Sequence, residues 1–225
     1  MKYLITTIAA VVLVGCGTSV EDEKELVELS DKLYELSQSP PAPELKPIER
    51  IAGAKVPDIS IHDAVFKGNM KAVKQHLAAG TDVNAKANPS GFKGLAGTTP
   101  LHDAASNGYK EIAELLIANG GDVNAELANG LTPLDNAAQY GHKKIVELLI
   151  ANGANVVDET LHAAAYGGHK QIAELLIAKG VNVNAKEEHG ATPLDLAIQF
   201  KNTETADLLR KHGAKTGEEL DAAGN

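Results

Sequence analysis

The 225-residue chain has no tryptophan, one cysteine and few aromatic side chains, five Tyr and three Phe. With aromatics at 4%, any core has to be assembled mainly from Leu, Ile, Val and Ala. A single cysteine excludes an intrachain disulfide and any zinc site built from several cysteines. Positive charge is in deficit, with 21 Lys+Arg against 30 Asp+Glu, a formal balance of −9. Such a chain repels phosphate backbones, which argues against general nucleic-acid binding. No G-x-S-x-G, P-loop, G-x-G-x-x-G or H-E-x-x-H pattern occurs, so no catalytic residue is assigned. Yet 44% of the residues are hydrophobic and 23% charged, the balance of a chain that folds.

The apolar run Leu4 to Val14 is too short to cross a bilayer about 30 Å thick as a helix. After the positive start Met1-Lys2 it has the length of a signal-peptide core. It ends in Leu13-Val14-Gly15-Cys16, and this is the one cysteine of the chain. The pattern resembles the bacterial lipobox. That resemblance implies cleavage before Cys16, a thioether diacylglycerol on its sulfur and usually an N-acyl chain such as palmitate. Residues 1–15 are then a lipoprotein signal peptide. Two or three acyl chains anchor stably where one is marginal, since each buried CH₂ contributes about 0.8 kcal/mol. Gly17 implies outer-membrane delivery, on the periplasmic side, in a bacterium with two membranes.

Residues 16–58 read as an acidic helix followed by a tether. Leu26, Leu29, Leu33 and Leu36 recur at helical spacing among acids. Pro40, Pro41, Pro43 and Pro47 then withdraw backbone donors and fix φ, which predicts an extended spacer.

From residue 59 the chain repeats. Leu101 and Leu134 are 33 residues apart, as are Leu161 and Leu194. Ile112-Ala113-Glu114-Leu115-Leu116-Ile117 returns as Ile145-Val146-Glu147-Leu148-Leu149-Ile150 and as Ile172-Ala173-Glu174-Leu175-Leu176-Ile177. Thr99-Pro100, Thr132-Pro133 and Thr192-Pro193 are helix starts, with Thr as cap and Pro at the first helical position. Gly120, Gly153 and Gly180 are helix stops. The stretch Thr99 to Gly108 and the endings Asp82-Val83-Asn84-Ala85, Asp122-Val123-Asn124-Ala125 and Asn182-Val183-Asn184-Ala185 are similar to ankyrin repeats. The resemblance implies an all-α solenoid of about five helix-turn-helix repeats over 59–213, with β-hairpin fingers between them and a C-terminal tail at 214–225. Stacking serves a physical need, because one helix pair cannot bury its apolar face alone.

Departures from the period make local predictions. Residues 87–97 are a surplus that lengthens the first finger. Only 27 residues separate Leu134 from Leu161, so the finger before the fourth unit is expected to be missing or reduced to a tight turn. Lys201 replaces the loop glycine of the fifth unit, and the acidic tail is expected to fray.

Three histidines, His62, His102 and His162, share one repeat position, but Asp135 breaks the row, so no metal is assigned. No cofactor is implied. In this family partners meet the fingers and inner helices. The positions before each loop position point that way, and the predicted partner-binding set is Phe66, Ser106, Asn107, Gln139, Tyr140, Tyr166, Gln199 and Phe200 from that row, with Phe92 from the long finger. Rigid aromatics anchor interfaces. The missing finger is expected to open a notch beside Tyr140 and Tyr166. Two functions follow from different classes. The first is a lipid-anchored scaffold that binds an unidentified protein at the cell envelope, held to the membrane by its lipid alone and taking no nucleic acid. The second is an envelope-associated enzyme, such as a hydrolase, with a site grafted on the repeats.

Overall fold

A computed structural model describes residues 45–87 and 97–223. Cys16 with its lipobox, the acidic helix of residues 21–37 and Phe92 lie outside the described residues. Eleven helices are described: α1 (Ile61–Phe66), α2 (Met70–Ala78), α3 (Pro100–Asn107), α4 (Lys110–Ala118), α5 (Pro133–Gln139), α6 (Lys143–Ala151), α7 (Asp158–Gly167), α8 (Lys170–Ala178), α9 (Pro193–Gln199), α10 (Thr203–Lys211) and α11 (Gly217–Ala223). The first ten form five antiparallel inner–outer pairs, each packed on the next.

Local chemistry sets the boundaries. Thr132 and Thr192 lie extended at helix N-caps, and each side chain accepts from the backbone N–H three residues on. Ser60 does the same for α1. The proline that follows each capping Thr has no amide to leave unpaired. The Ala pairs 104/105, 137/138 and 164/165 are fully buried, so inner helices approach closely. Above them Leu101, Leu134, Leu161 and Leu194 form one buried row, and Leu116, Leu149, Leu176 and Leu209 of the outer helices form another. The core is therefore aliphatic, as the lack of aromatics requires.

Among the described residues there is no β-strand. The two fully described fingers are tight turns: Leu127 N–H donates to the Leu131 carbonyl at 2.9 Å, and Glu187 N–H to the Ala191 carbonyl at 3.0 Å. Leu127 and Glu187 also accept from Gly130 N–H and Gly190 N–H, so each turn closes within five residues and leaves no length for a ladder. At the first finger, Ala87 N–H donates to the Thr98 carbonyl at 2.8 Å and Gly97 N–H to the Ala87 carbonyl at 3.1 Å. Between α6 and α7 only residues 152–157 intervene, without any finger.

Two segments differ from the expected spacer and tail. Residues 45–51 form a strap over the outer helices. Leu45 and Ile48 pack on the core. Ile48 N–H donates to Asn119 Oδ1 at 3.0 Å, and Ile51 N–H to the Ala78 carbonyl at 2.9 Å. Two apolar side chains flanking Pro47 gain more by burial than a solvated spacer offers. The tail does not fray over residues 214–223. Ala214 is buried, and Thr216 caps α11 reciprocally with Glu219.

Candidate functional site

Polar side chains couple each repeat to its neighbour. In the D-V-N-A endings the asparagine bridges forward with both ends of its amide. Asn84 donates to the Gly120 carbonyl at 3.0 Å and accepts from Asp122 N–H at 2.8 Å. Asn124 does so with Gly153 and Asn155, and Asn184 with Gly213 and Lys215. This role was not read from the sequence, although the repetition of the motif was its signal.

A second row runs along the loops. From the second repeat on, the residue after the loop glycine, or after Lys201 in its place, covers the loop glycine of the preceding repeat. His142 Nε2 donates to the Ser106 carbonyl at 3.1 Å and His169 Nε2 to the Gln139 carbonyl at 2.9 Å. Asn202 donates to the carbonyls of Ala165 and Tyr166. Tyr109 packs in the same way over Gly68.

The third row is the shared His/Asp position, whose members each bond a different neighbour. His62 Nε2 reaches the Ala85 carbonyl at 2.9 Å, His102 Nε2 the Leu131 carbonyl at 3.3 Å and His162 Nε2 the Ala185 carbonyl at 3.1 Å. Each carbonyl belongs to the following finger. The third and fifth units have no following finger, and both carry Asp instead. Asp135 accepts from the Thr160 hydroxyl at 2.7 Å, and Asp195 from Gly217 N–H at 2.8 Å. A carbonyl calls for a donor, whereas a hydroxyl or helix N-terminus calls for an acceptor.

Proton placement differs along this row. Both nitrogens of His62 face acceptors, Ala85 O and Asp103 Oδ2, the latter at 2.6 Å, so two protons are needed. Burial opposes that charge, but the Asp103 carboxylate outweighs it and holds the imidazole above its ordinary pKa. His102 is the reverse. Its Nδ1 accepts from Thr99 N–H at 3.2 Å, leaving one proton on Nε2, and burial pushes its pKa down. For Asp195, burial is overcome by hydrogen bonds from Thr192 and Gly217, which keep the carboxyl below its usual range.

The predicted binding residues divide into two groups. Phe66 and Tyr140 are each 54% exposed, and Tyr166 and Phe200 each 43%. Tyr166 and Phe200 meet with ring centroids 4.3 Å apart, their planes inclined at 57°. Gln199 is exposed beside them, and Ile198, not foreseen, is 49% exposed. Ser106, Asn107 and Gln139 are half-buried. Ser106 donates to the His102 carbonyl and accepts from Asn136, and Asn107 donates to the Asp103 carbonyl. These two side chains are spent on the scaffold.

Where the finger is missing, a recess of about 390 Å³ opens, lined by Leu131, Asp135, Asn155, Val157 and Glu159 among others. Neither Tyr140 nor Tyr166 lines it. The recess lies at the N-terminus of α7, whereas Tyr166 is in its last turn, roughly 12 Å away along the axis.

A family model described as ankyrin repeats matches residues 61–160 and 157–219. The chain belongs to the ankyrin-repeat family. Its repeats are 38% identical over 71 residues to protein phosphatase 1 regulatory subunit 27 of Homo sapiens, covering 32% of this chain and 42% of that protein. The mouse counterpart is 37% identical over the same length. Human Rabankyrin-5 is 28% identical over 170 residues, covering 73% of this chain and 12% of that one. The alignments thus span under half the length of these relatives. Ankyrin repeats and a relative named as a regulatory subunit agree with a protein-binding scaffold rather than a catalyst.

Proposed function

We propose that this ankyrin-repeat chain is a lipid-anchored scaffold that binds a protein partner at the bacterial cell envelope, through the aromatic row of its inner helices. The observation that carries the binding reading is the exposure of Phe66, Tyr140, Tyr166 and Phe200 in a chain with few aromatics. The polar ladders are spent on holding repeats together, which leaves these rings as the contacts on offer. Aromatic anchors on a rigid support lose little conformational freedom on binding. The lipobox ending at Cys16 supports the anchor and the envelope location.

The binding test is capture of partners from envelope extracts, followed by affinity measurement with Tyr166→Ala/Phe200→Ala. The double variant is expected to bind more than tenfold more weakly, equivalent to about 1.4 kcal/mol, with an unchanged circular dichroism spectrum. Unchanged affinity would move the interface elsewhere. The anchor is tested separately by labelling cells with a radioactive fatty acid. Cys16→Ser is expected to abolish label and leave uncleaved precursor, and a labelled variant would refute the assignment.

A further inference from the structure

The amino-terminal end of the described chain has the opposite charge to the rest. Residues 45–87 carry seven Lys or Arg against four acids, while residues 97–223 carry ten against eighteen. The cations gather where the strap crosses α2. Ile48 sits in a shallow apolar groove with Met70, Lys71, Lys74 and Ala78. Leu45 and Lys46 extend the same surface past Met70 and Lys74 toward α4. Arg50 lies over Gly80 at the end of α2, 3.9 Å from the position of an added Cβ. Ile51, next in the chain, is 62% exposed, and Val56 is 50% exposed. Of the acids nearby, Glu49 lies within the strap, Glu111 is exposed on the α4 edge of the groove, Asp58 pairs loosely with Lys55 at 3.9 Å, and Glu114 pairs with Lys110. Lys46, Lys71 and Lys74 are exposed.

We propose that this patch seats the repeat domain on an anionic lipid bilayer. Ile51 and Val56 enter the headgroup boundary, and Lys46, Arg50, Lys71 and Lys74 meet lipid phosphates. Exposed aliphatic side chains on the same segment as long cationic ones suit a bilayer surface, where the stems lie along apolar matter and the charges reach water. Anionic lipid attracts such clusters without demanding fixed geometry. Lysine, a flexible point charge, serves that purpose better than it serves a shaped protein interface. The patch lies on the outer helices, so the aromatic row of the inner helices stays free for a partner. The proposal goes beyond the scaffold reading and does not require lipid on Cys16.

The full-length chain is mixed with vesicles of phosphatidylglycerol and phosphatidylethanolamine, or of phosphatidylcholine alone, and backbone amide exchange is followed by mass spectrometry. Amides in residues 45–56 are expected to exchange at least fivefold more slowly on the anionic vesicles than on phosphatidylcholine. The difference disappears in 0.5 M salt and in Lys71→Glu/Lys74→Glu, whose circular dichroism stays unchanged because both side chains are exposed. Ile51→Ser reduces it without changing charge. Equal exchange on both vesicle types, as expected if the patch serves an acidic protein instead, overturns the proposal. So does slowing that survives the lysine variant. The readout is local to the strap, so its failure is distinct from failure of fatty-acid labelling or of partner capture.

Discussion

The ring of His169 lies so close over Gly141 that a Cβ added to that glycine would stand 2.4 Å from Cε1. Gly141 also has φ 80°, the left-handed region that a side chain resists. Gly141→Ala therefore meets two penalties, backbone strain and displacement of His169 from the Gln139 carbonyl. About 2–4 kcal/mol of stability should be lost in urea titration. Gly180 has φ 88° but nothing within 4 Å of an added Cβ. Gly180→Ala should cost only the strain, about 1–2 kcal/mol. Equal losses would mean that the ring is not held against the glycine.

Opposite protonation at His62 and His102 predicts stability that declines on both sides of neutrality. His62 has a raised folded pKa, so its contribution is full below about pH 6.5 and is lost as pH rises through the folded value. His102 has a lowered folded pKa, so its contribution is full above about pH 6.5 and is lost as pH falls toward the folded value. Urea midpoints across pH 5 to 9 measure both limbs. His62→Gln should flatten the alkaline limb and His102→Gln the acid one. An alkaline decline that persists in His62→Gln would remove this imidazole as its cause.

Thr160 donates to an Asp135 carboxylate that is only 2% exposed. Thr160→Val keeps the shape and removes the donor. The carboxylate is left with one buried oxygen unanswered, at a cost of about 2 kcal/mol. Denaturant titration of the variant checks this, and a loss under 0.5 kcal/mol would show that water or another donor replaces the hydroxyl.

Thr205 occupies the slot that Ile112, Ile145 and Ile172 fill in earlier repeats, and its buried hydroxyl has no hydrogen-bond partner among the described residues. Thr205→Val removes an unanswered polar atom. Stability should rise by about 1 kcal/mol, read as a Tm higher by about 2–4 °C. A lower Tm would reveal a partner for the hydroxyl.

The repeat scaffold was legible because its signals are local and recur. Thr-Pro starts, glycine stops and paired alanines each have one physical meaning at one period. The strap was not legible, because Pro47 argues for an extended chain and says nothing of whether that chain lies on a helix. The helix of the tail could have been read: Thr216 and Glu219 have capping-box spacing, which the acidic composition obscured. The exposed rings were found because the repeat position places them. The separation of the recess from Tyr166 was missed because spacing counts residues, not the length of the helix between them. Asp135 was read as a gap in a histidine row, although it records the missing finger.

That last pairing gives the repeats a fixed order. Each unit carries a hydrogen-bonding label for its successor: histidine where a finger carbonyl follows, aspartate where a hydroxyl or a helix start follows. Exchange the third and fourth units, and Asp135 would face the oxygen of Ala185, acceptor against acceptor, while His162 would lose its finger. Units that look like interchangeable beads are therefore keyed to their places. A shuffled or shortened array would keep every helix and still fit badly at its seams.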